Sequence, residues 1–446
     1  MIHAPGRRRR SQPSLGAANF GFYVNSATGN DGNSGTSAAA AWASMAPLRT
    51  AIDALPDNGA LTAFVSGTFL DDHLRLGAGV NTGVYVRITI AAGTIFNATP
   101  GVDQSFTDST GGPWTMELIG QGSGETRPKI RVGDTGTGNG FGVTSNGGAK
   151  LIYRNMIVEN CIDGASLHGS LAYGEVYDCT FRNNSKSAFA HVHTGGSFKA
   201  YSCSFEGKAA AVIGVGSETT ATSANSLYQD CSFIPATSGD ACIFLQATVR
   251  RCKVGTLTAR VGTTGSNQPW GDANGPAIVQ DSFVHACWDQ NSPVTMTGCY
   301  GRATIRMRNS AVASSLTGCV FVDGADGLAD SLLWRNFDPG SAAQLTVRNS
   351  VLSGFAVGLG SGYGAADATY FSASGSRADY LCLFGNTTDI DADLVALGTP
   401  FIANNITSNP LLGPCNTTVK NDWAIGPTSP CIGAGLAGAD IGFQAS

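Results

Sequence analysis

The sequence predicts an all-β protein, a right-handed parallel β-helix with an N-terminal capping helix and a C-terminal closing segment. Three observations support this fold. A four-residue pattern centred on Cys-x-Phe returns about every two dozen residues, no long amphipathic helix separates its copies, and a helix-like segment and a distinctive terminal segment flank the copies. Internal repetition of this period is typical of repeat architectures, and the absence of intervening helices excludes leucine-rich, ankyrin and doubly wound folds.

The repeat is defined by its second and fourth positions. The second position is occupied in turn by Met156, Cys179, Cys203, Cys231, Cys252, Ser282, Cys299, Cys319 and Ser350, at intervals of 23, 24, 28, 21, 30, 17, 20 and 31 residues. The fourth position is apolar in every copy except Gly301. Since side chains alternate along a strand, positions two and four point inward and positions one and three point outward. A turn of this length holds three short strands, and successive coils pair about 4.8 Å apart.

The cysteine column is predicted to be a packed, reduced ladder. Coils space these side chains by about 4.8 Å along parallel directions, whereas a disulfide requires Cβ atoms within about 4.5 Å. The sequence contains no pair or cluster with zinc-ligand spacing, so we expect no metal and no cofactor. Whether Cys415 pairs with Cys431 is left open.

The ends of the chain have their own elements. Trp42, Met45, Leu48, Ile52 and Leu55 recur at helical spacing and predict an amphipathic helix that begins near Pro47 and closes the N-terminal mouth. The chain then divides into a flexible basic docking peptide (1–19), an N-terminal strand and capping helix (20–60), β-helix coils (61–400) and a closing segment (401–446).

The charge distribution argues against nucleic-acid binding by the fold. The chain has 27 basic and 32 acidic residues, and without the tail residues Arg7, Arg8, Arg9 and Arg10 it has 23 against 32, a net charge of −9. Such a body repels phosphate, so no nucleic acid is expected. No apolar run is long enough for membrane insertion, and no apolar stretch follows the basic residues as in a signal peptide.

Both ends resemble one superfamily. FYVNSATGNDGNSGTSAAAAWASMAPLRTAI and VSGTFLDDHLRL are similar to the opening of bacterial and phage proteins of the pectin-lyase-like β-helix superfamily. Ser429-Pro430-Cys431-Ile432 and Asp440-Ile441-Gly442 resemble the end of its closing segment. The resemblance implies a solenoid that binds or cleaves polysaccharide on its outer face. The chain also resembles phage tailspike and tail fibre proteins. That resemblance implies a homotrimer in a virion.

No catalytic motif of that superfamily is present. The polygalacturonase-like and pectate-lyase-like elements are missing, and LHGS is not the expected Gly-His-Gly. The candidate carboxylate pair is Asp178 and Asp230, which a β-helix places two coils and about 9.6 Å apart, near the separation in inverting glycosidases. The alternative is that Asp230, Arg251 and Asp281 form an alternating charge ladder on a wet surface.

Two loop-like segments carry aromatic and acidic residues together. Thr263–Pro276 contains Trp270 and Asp272, and HACWDQNS after it contains His285, Trp288 and Asp289. Exposed tryptophan beside carboxylates suits sugar stacking with acid–base chemistry, so the aspartates are candidate catalytic residues and Trp270, Trp288 and His285 candidate glycan-binding residues. The alternative is that a tryptophan only anchors its loop.

Three functions remain open from the sequence. The preferred one is a virion fibre or tailspike-like protein, with Arg7, Arg8, Arg9 and Arg10 docking to another tail or head protein and the coils contacting host surface polysaccharide. A polysaccharide lyase or glycoside hydrolase is the second. A non-enzymatic structural, decoration or adhesin protein is the third.

Overall fold

The structure is a computed structural model. It describes residues 21–71, 82–98, 113–132, 142–144, 148–161, 163–168, 173–184, 187–192, 197–208, 218–219, 226–236, 247–257, 261–262, 277–290, 294–307, 313–323, 330–334, 344–361, 369 and 371–445. For strand residues 98, 132, 142–144, 163, 165–168, 187–192, 218–219, 261–262, 286–290, 303–307 and 330–334 it describes the backbone alone.

The fold is a right-handed parallel β-helix, as predicted. Strands are numbered in chain order. Sheet A contains β1 (Phe22–Asn25), β2 (Ala60–Ser66), β4 (Tyr85–Ile90), β6 (Thr115–Gly120), β9 (Lys150–Arg154), β12 (Tyr173–Tyr177), β15 (Ser197–Tyr201), β18 (Ser226–Gln229), β20 (Ala247–Arg250), β23 (Ala277–Gln280), β25 (Val294–Thr297), β27 (Ser314–Thr317), β30 (Leu345–Arg348), β33 (Arg377–Asp379) and β36 (Ile402–Ala403). These neighbours pair in parallel, each one coil from the next.

Sheet B lies around the next corner of each coil. It contains β3 (Thr68–Leu70), β5 (Ile95–Ala98), β7 (Lys129–Val132), β10 (Ile157–Glu159), β13 (Thr180–Arg182), β16 (Ser204–Glu206), β19 (Ser232–Ile234), β21 (Lys253–Val254), β24 (Phe283–Gln290), β26 (Tyr300–Met307), β28 (Val320–Val322), β31 (Val351–Ser353) and β34 (Cys382–Phe384). The repeat pattern of the sequence lies at the start of these strands.

The third face begins with a four-stranded sheet. Its strands are β8 (Gly142–Thr144), β11 (Asp163–His168), β14 (Ser187–Val192) and β17 (Glu218–Thr219). It continues with β22 (Val261–Gly262), β29 (Asp330–Trp334), β32 (Val357–Ser361) and β35 (Thr388–Ile390). The long strands β24 and β26 pair with members of both faces and so join this face to sheet B.

The first position of the repeat is a corner residue, so the expectation that it is an outward strand position is wrong. All nine residues there have φ between 47° and 62°: Asn155, Asp178, Ser202, Asp230, Arg251, Asp281, Gly298, Gly318 and Asn349. This left-handed conformation turns the chain from sheet A into sheet B. Seven of the nine are Gly, Asn or Asp, the residue types that tolerate it with little steric cost.

The interior columns agree with the prediction. Cys179, Cys203, Cys231 and Cys252 are buried free thiols. Phe205 stacks on Phe181 and Phe233, with ring centroids 5.2 and 5.1 Å apart. Each aromatic ring therefore covers its counterpart one coil away, at about the spacing of paired strands. Burial raises the pKa of the Cys299 thiol, which suits an inert core residue.

Each mouth of the solenoid is covered by a short helix. Helix Ala46–Asp53 begins with Pro47 in its first turn and buries Leu48 and Ile52 in the N-terminal core. At the other end, helix Ala392–Val395 buries Leu394 in the same continuous core. This helix falls within the range 61–400 that the sequence predicts as coils. No helix among the described residues is long and apolar enough to cross a membrane.

Residues 404–445 lie against the outside of sheet B. Position three of the repeat changes there from Thr180, Ser204, Ser232 and Lys253 to Phe283, Tyr300, Val320 and Val351. The latter four form a second apolar cluster with Trp423, Ile425, Cys431 and Ile441. Gly442 permits the close approach, because a Cβ there would lie 3.1 Å from a methyl group of Val351. The terminal segment thus covers apolar positions that would otherwise face water.

Candidate functional site

The candidate site is the outer face of sheet A in five consecutive strands, β4, β6, β9, β12 and β15. Their outward positions carry an unusual concentration of aromatic and charged side chains, which we name the tyrosine face: Tyr85, Arg87, Glu117, Lys150, Arg154, Tyr173, Glu175, Tyr177, Lys199 and Tyr201. The alternate residues of the same strands, such as Leu118 and Val176, are buried in the core. Parallel pairing stacks the outward residues in columns about 4.8 Å apart, so the face is about 19 Å long.

A three-membered stack forms the centre of this face. Arg154, Tyr177 and Tyr201 are register partners on β9, β12 and β15. The two tyrosine rings are 4.9 Å apart and inclined by 11°, and the guanidinium carbon of Arg154 lies 3.8 Å from the centroid of Tyr177. Gln229 follows Tyr201 in the next strand, so the stack of rings ends at Tyr201. Cation–π contact and ring stacking hold the stack in one orientation.

Two lysines converge on a third ring. The ammonium of Lys150 lies 4.7 Å from the centroid of Tyr173, and that of Lys199 lies 5.4 Å from it. Lys150 is directly opposite Tyr173 in β9, whereas Lys199 is on β15, on the other side of β12. Lys150 also forms a salt bridge of 3.0 Å with Glu175. Positive charge is therefore concentrated on both sides of the Tyr173 ring.

The carboxylate of Glu117 is the most enclosed charged group of the face, with its side chain 7% exposed. It accepts hydrogen bonds from the Tyr85 hydroxyl at 2.7 Å, from Arg87 Nε at 3.0 Å and from Arg154 Nε at 2.7 Å. Burial alone would raise its pKa, but these donors outweigh burial and lower it. Glu117 is therefore ionised at neutral pH.

The second carboxylate, Glu175, accepts a hydrogen bond from the hydroxyl of Tyr177 as well as from Lys150. Burial raises the pKa of Tyr177, and the bond to Glu175 raises it further, so the phenol keeps its proton at neutral pH. A glycosidase acid must hold a transferable proton near neutral pH. Glu117, which is ionised, does not meet that requirement. The charged groups of the face are held in fixed orientations by contacts among its own side chains.

A second ionic cluster lies on sheet B in the same coils. Glu159 accepts from Arg131 Nε at 2.5 Å and from Arg182 Nε at 2.7 Å, and Arg182 also holds Glu125 with two bonds of 2.8 Å. Hydrogen bonds from Arg182 and Lys129 lower the pKa of Glu125 to about 2. These charges satisfy one another and contain no aromatic ring. The cluster therefore links successive coils through side-chain ion pairs. It is less suited than the tyrosine face to bind a ligand.

The aspartates predicted from the repeat lie at the corners between sheets A and B. Asp178 and Asp230 are two coils apart, as expected, with φ of 52° and 57°. Arg251 Nε and Nη2 bind the two carboxylate oxygens of Asp230, each at 2.9 Å. Asp281 in the following coil is held by Lys420 at 2.7 Å. The charge-ladder interpretation therefore describes Asp230 and Arg251 directly.

The aromatic and acidic residues predicted on two loop-like segments do not lie as expected where the structure describes them. Residues 285–290 of HACWDQNS do not form a loop, because they belong to the continuous strand β24. His285 is 1% exposed and its Nδ1 lies 2.5 Å from the carbonyl oxygen of Thr256, so its imidazole offers no surface to a glycan. For Trp288 and Asp289 the structure describes the backbone alone, and Trp270, Asp272 and Arg7, Arg8, Arg9 and Arg10 lie outside the described residues.

The tyrosine face was missed at the level of sequence, although a signal was present. In the strand segments TMELIG, KLIYR, YGEVY and SFKAY, inward residues that are mostly apolar alternate with outward positions, most of which hold Tyr, Lys, Arg or Glu. Tracing the outward positions of sheet A from coil to coil would have aligned Arg154, Tyr177 and Tyr201. The Cys-x-Phe repeat lies at the start of the sheet B strands, so its pattern carries no information about these outward positions of sheet A.

Comparison of this chain with known proteins gives a weak similarity to a solved structure. No protein-family model matches the sequence, and no curated protein matches it. Among solved structures, the chain is similar to that of pectate lyase Pel9A, with a TM-score of 0.39 and 12% identity over 95% of this chain and 96% of that one. Among the described residues, no group of three or more His, Cys, Asp or Glu side chains is arranged to hold a metal ion. The parallel pairing of its own strands identifies this chain as a right-handed parallel β-helix protein.

Proposed function

We propose that this protein is a β-helix attachment protein of a virus particle that binds host surface polysaccharide along the tyrosine face. The observation that carries the glycan-binding part is the stack of Arg154, Tyr177 and Tyr201 on an outer sheet face. Sugar rings combine apolar C–H patches with hydroxyl groups. A row of tyrosine edges flanked by charged donors and acceptors provides matching contacts for both.

The geometry also matches an extended ligand. The face runs along the solenoid axis for about 19 Å because its residues occupy five successive strands. Its side chains are held by one another, as in the Tyr177–Tyr201 stack and the three bonds to Glu117. Little side-chain entropy is then lost on binding, since the contacts exist beforehand. A linear polysaccharide is a ligand of this shape.

The particle-docking part of the proposal rests on the sequence. Arg7, Arg8, Arg9 and Arg10 give the N-terminal peptide a charge opposite to that of the body, which suits docking to an acidic surface of another tail or head protein. A homotrimer belongs to the same proposal. Deleting residues 1–19 should leave glycan binding intact and abolish incorporation into particles. If particles still incorporate the truncated chain, the docking role is refuted, and the proposal for the tyrosine face is unaffected.

The glycan-binding part is tested by affinity electrophoresis of the full chain in gels that contain surface polysaccharide extracted from candidate hosts. We expect retardation of the wild type and a loss of about tenfold in affinity for Tyr177→Ala and for Tyr201→Ala, the scale of one stacking contact. Tyr23→Ala is the matched control, because Tyr23 is an outward tyrosine of sheet A on β1, outside the face. Equal retardation of all four proteins would refute glycan binding by this face.

Following the size of the same polysaccharide by gel filtration separates the alternatives. An attachment protein leaves the chain length unchanged. Shortening of the glycan would make the protein a lyase or hydrolase and would direct attention to Asp178, Asp230, Asp272 and Asp289. Absence of both retardation and shortening would favour a structural or decoration protein.

A further inference from the structure

We infer that the polysaccharide recognised by the tyrosine face is acidic, with its carboxylate or sulfate groups bound by Lys150 and Lys199 at the Tyr173 ring. This inference rests on the proposed function and names the ligand class for the same site. It depends on the balance of charges on the face, on where the surplus lies, and on the enclosed state of its carboxylates.

The balance of charge on the face is positive although the whole chain is negative. Arg87, Lys150, Arg154 and Lys199 contribute four positive charges, and Glu117 and Glu175 contribute two negative ones, which leaves a surplus of two. The chain as a whole has a net charge of −5. A local positive surplus on a negative body attracts anionic ligands to that place and repels them from the rest of the surface.

The surplus is located at Lys150 and Lys199. Glu117 occupies the two arginines, since it binds Nε of Arg87 and Nε of Arg154. Glu175 forms one salt bridge with Lys150, whose ammonium has two further protons to donate. Lys199 is the remaining cation of the set and lies 5.4 Å from the Tyr173 ring centroid. Both ammonium groups therefore retain donors for a ligand anion.

The enclosed carboxylates limit repulsion of such a ligand. Glu117 has a side chain 7% exposed and Glu175 one 12% exposed, whereas Lys150 is 36% exposed. The positive groups are thus nearer to solvent than the negative ones. An approaching glycan meets ammonium groups and tyrosine edges first, and the glutamates behind them fix the cations in place. This layering distinguishes the face from the sheet B cluster, where Glu125 is 65% exposed.

The test compares defined acidic and neutral polysaccharides in the affinity gel. Hyaluronan supplies carboxylates, chondroitin sulfate supplies carboxylates and sulfates, and dextran is the neutral probe. We expect retardation by one or both acidic polymers, none by dextran, and a loss of affinity of about tenfold or more for the double variant Lys150→Gln/Lys199→Gln. Raising the salt concentration should weaken wild-type binding and have less effect on the double variant.

The control variant is Lys253→Gln, which removes an exposed lysine of sheet B. It should bind like the wild type. Equal binding of dextran and the acidic polymers, with the double lysine variant unaffected and Tyr201→Ala weakened, would overturn the acidic class and leave the proposed function standing. No retardation by any probe or by host polysaccharide would overturn both. Preference for chondroitin sulfate over hyaluronan would assign the bound group as sulfate.

Discussion

The guanidinium carbon of Arg154 lies 3.8 Å from the ring centroid of Tyr177, while Nε of the same group donates to Glu117 at 2.7 Å. One side chain thus joins the aromatic stack to the enclosed carboxylate, across three strands of sheet A. Arg154 is a positioning residue for both. Its contacts explain how a surface made of long side chains keeps one geometry.

Replacing Arg154 by Leu should destabilise the protein and change its pH dependence. The pKa of Glu117 is lowered in the folded chain, so its contribution to the free energy of unfolding is full above the ordinary carboxyl range and is lost as pH falls through the lowered folded pKa. Without Arg154 that contribution shrinks, and we expect a loss of about 2 kcal/mol at pH 7. Urea unfolding of the wild type and the variant from pH 7 to pH 3 measures this loss of free energy of unfolding. An identical stability difference between the two proteins at both ends of that range would contradict the ion-pair explanation.

The corner conformation makes a sharp prediction at Ser202, which is exposed and has φ of 54°. Ser202→Val should lower the free energy of unfolding by about 1–2 kcal/mol, because a β-branched side chain is strained in the left-handed region. Ser202→Gly should be neutral or slightly stabilising. Chemical denaturation measures the free energy of unfolding of both variants. Equal values for Val and Gly would show that this corner does not discriminate against a β-branched side chain.

Trp423 should anchor the C-terminal segment to sheet B. Its ring is fully buried 5.9 Å from Phe283, and its Nε1 donates to the carbonyl oxygen of Thr417 at 2.7 Å. Trp423→Ala should lower the free energy of local unfolding of this segment by about 3–5 kcal/mol. Hydrogen exchange should therefore accelerate more in residues 404–445 than in the sheet A strands. Lys420→Gln removes the half-exposed salt bridge to Asp281 and the contact of the ammonium with the Phe443 ring, and should have little effect because exposed contacts of both kinds are weak. Uniform exchange changes along the whole chain would show that the segment and coils open together.

The pairing of Cys431 has a definite expected partner. Cys415 and Cys431 are both thiols in the structure, and Cys431 is buried in one apolar cluster with Cys382 on β34, whereas Cys415 is only partly buried at the edge of that cluster. Unlike the inward ladder cysteines, Cys382 and Cys431 come from elements that face each other. Oxidised glutathione, which is reduced to two thiols as a disulfide forms, should therefore join Cys382 to Cys431, slowly because both are buried. Peptide mapping without reductant should find that bridge in Cys415→Ser as well. A Cys415–Cys431 bridge would contradict this arrangement.

The sequence by itself determined the repeat period, the inward Cys and Phe columns, the capping helix and the parallel β-helix architecture. These features depend on the alternation of apolar residues within each strand and on its return one coil later, so they are visible in one dimension. The corner at position one was also encoded, in the excess of Gly, Asn and Asp, but its backbone conformation was not recognised there.

Only the tertiary structure decided which side chains share an outer face. Tyr85 and Tyr201 are 116 residues apart in the chain, yet both belong to one surface because parallel pairing brings β4 and β15 within four strand spacings. Likewise, Asp281 meets Lys420 from 139 residues away, and the apolar change at position three has meaning only once the terminal segment lies on it. Outward positions are free of the packing constraint that imposes a repeat. Their grouping follows from the register between coils, which is a property of the folded chain.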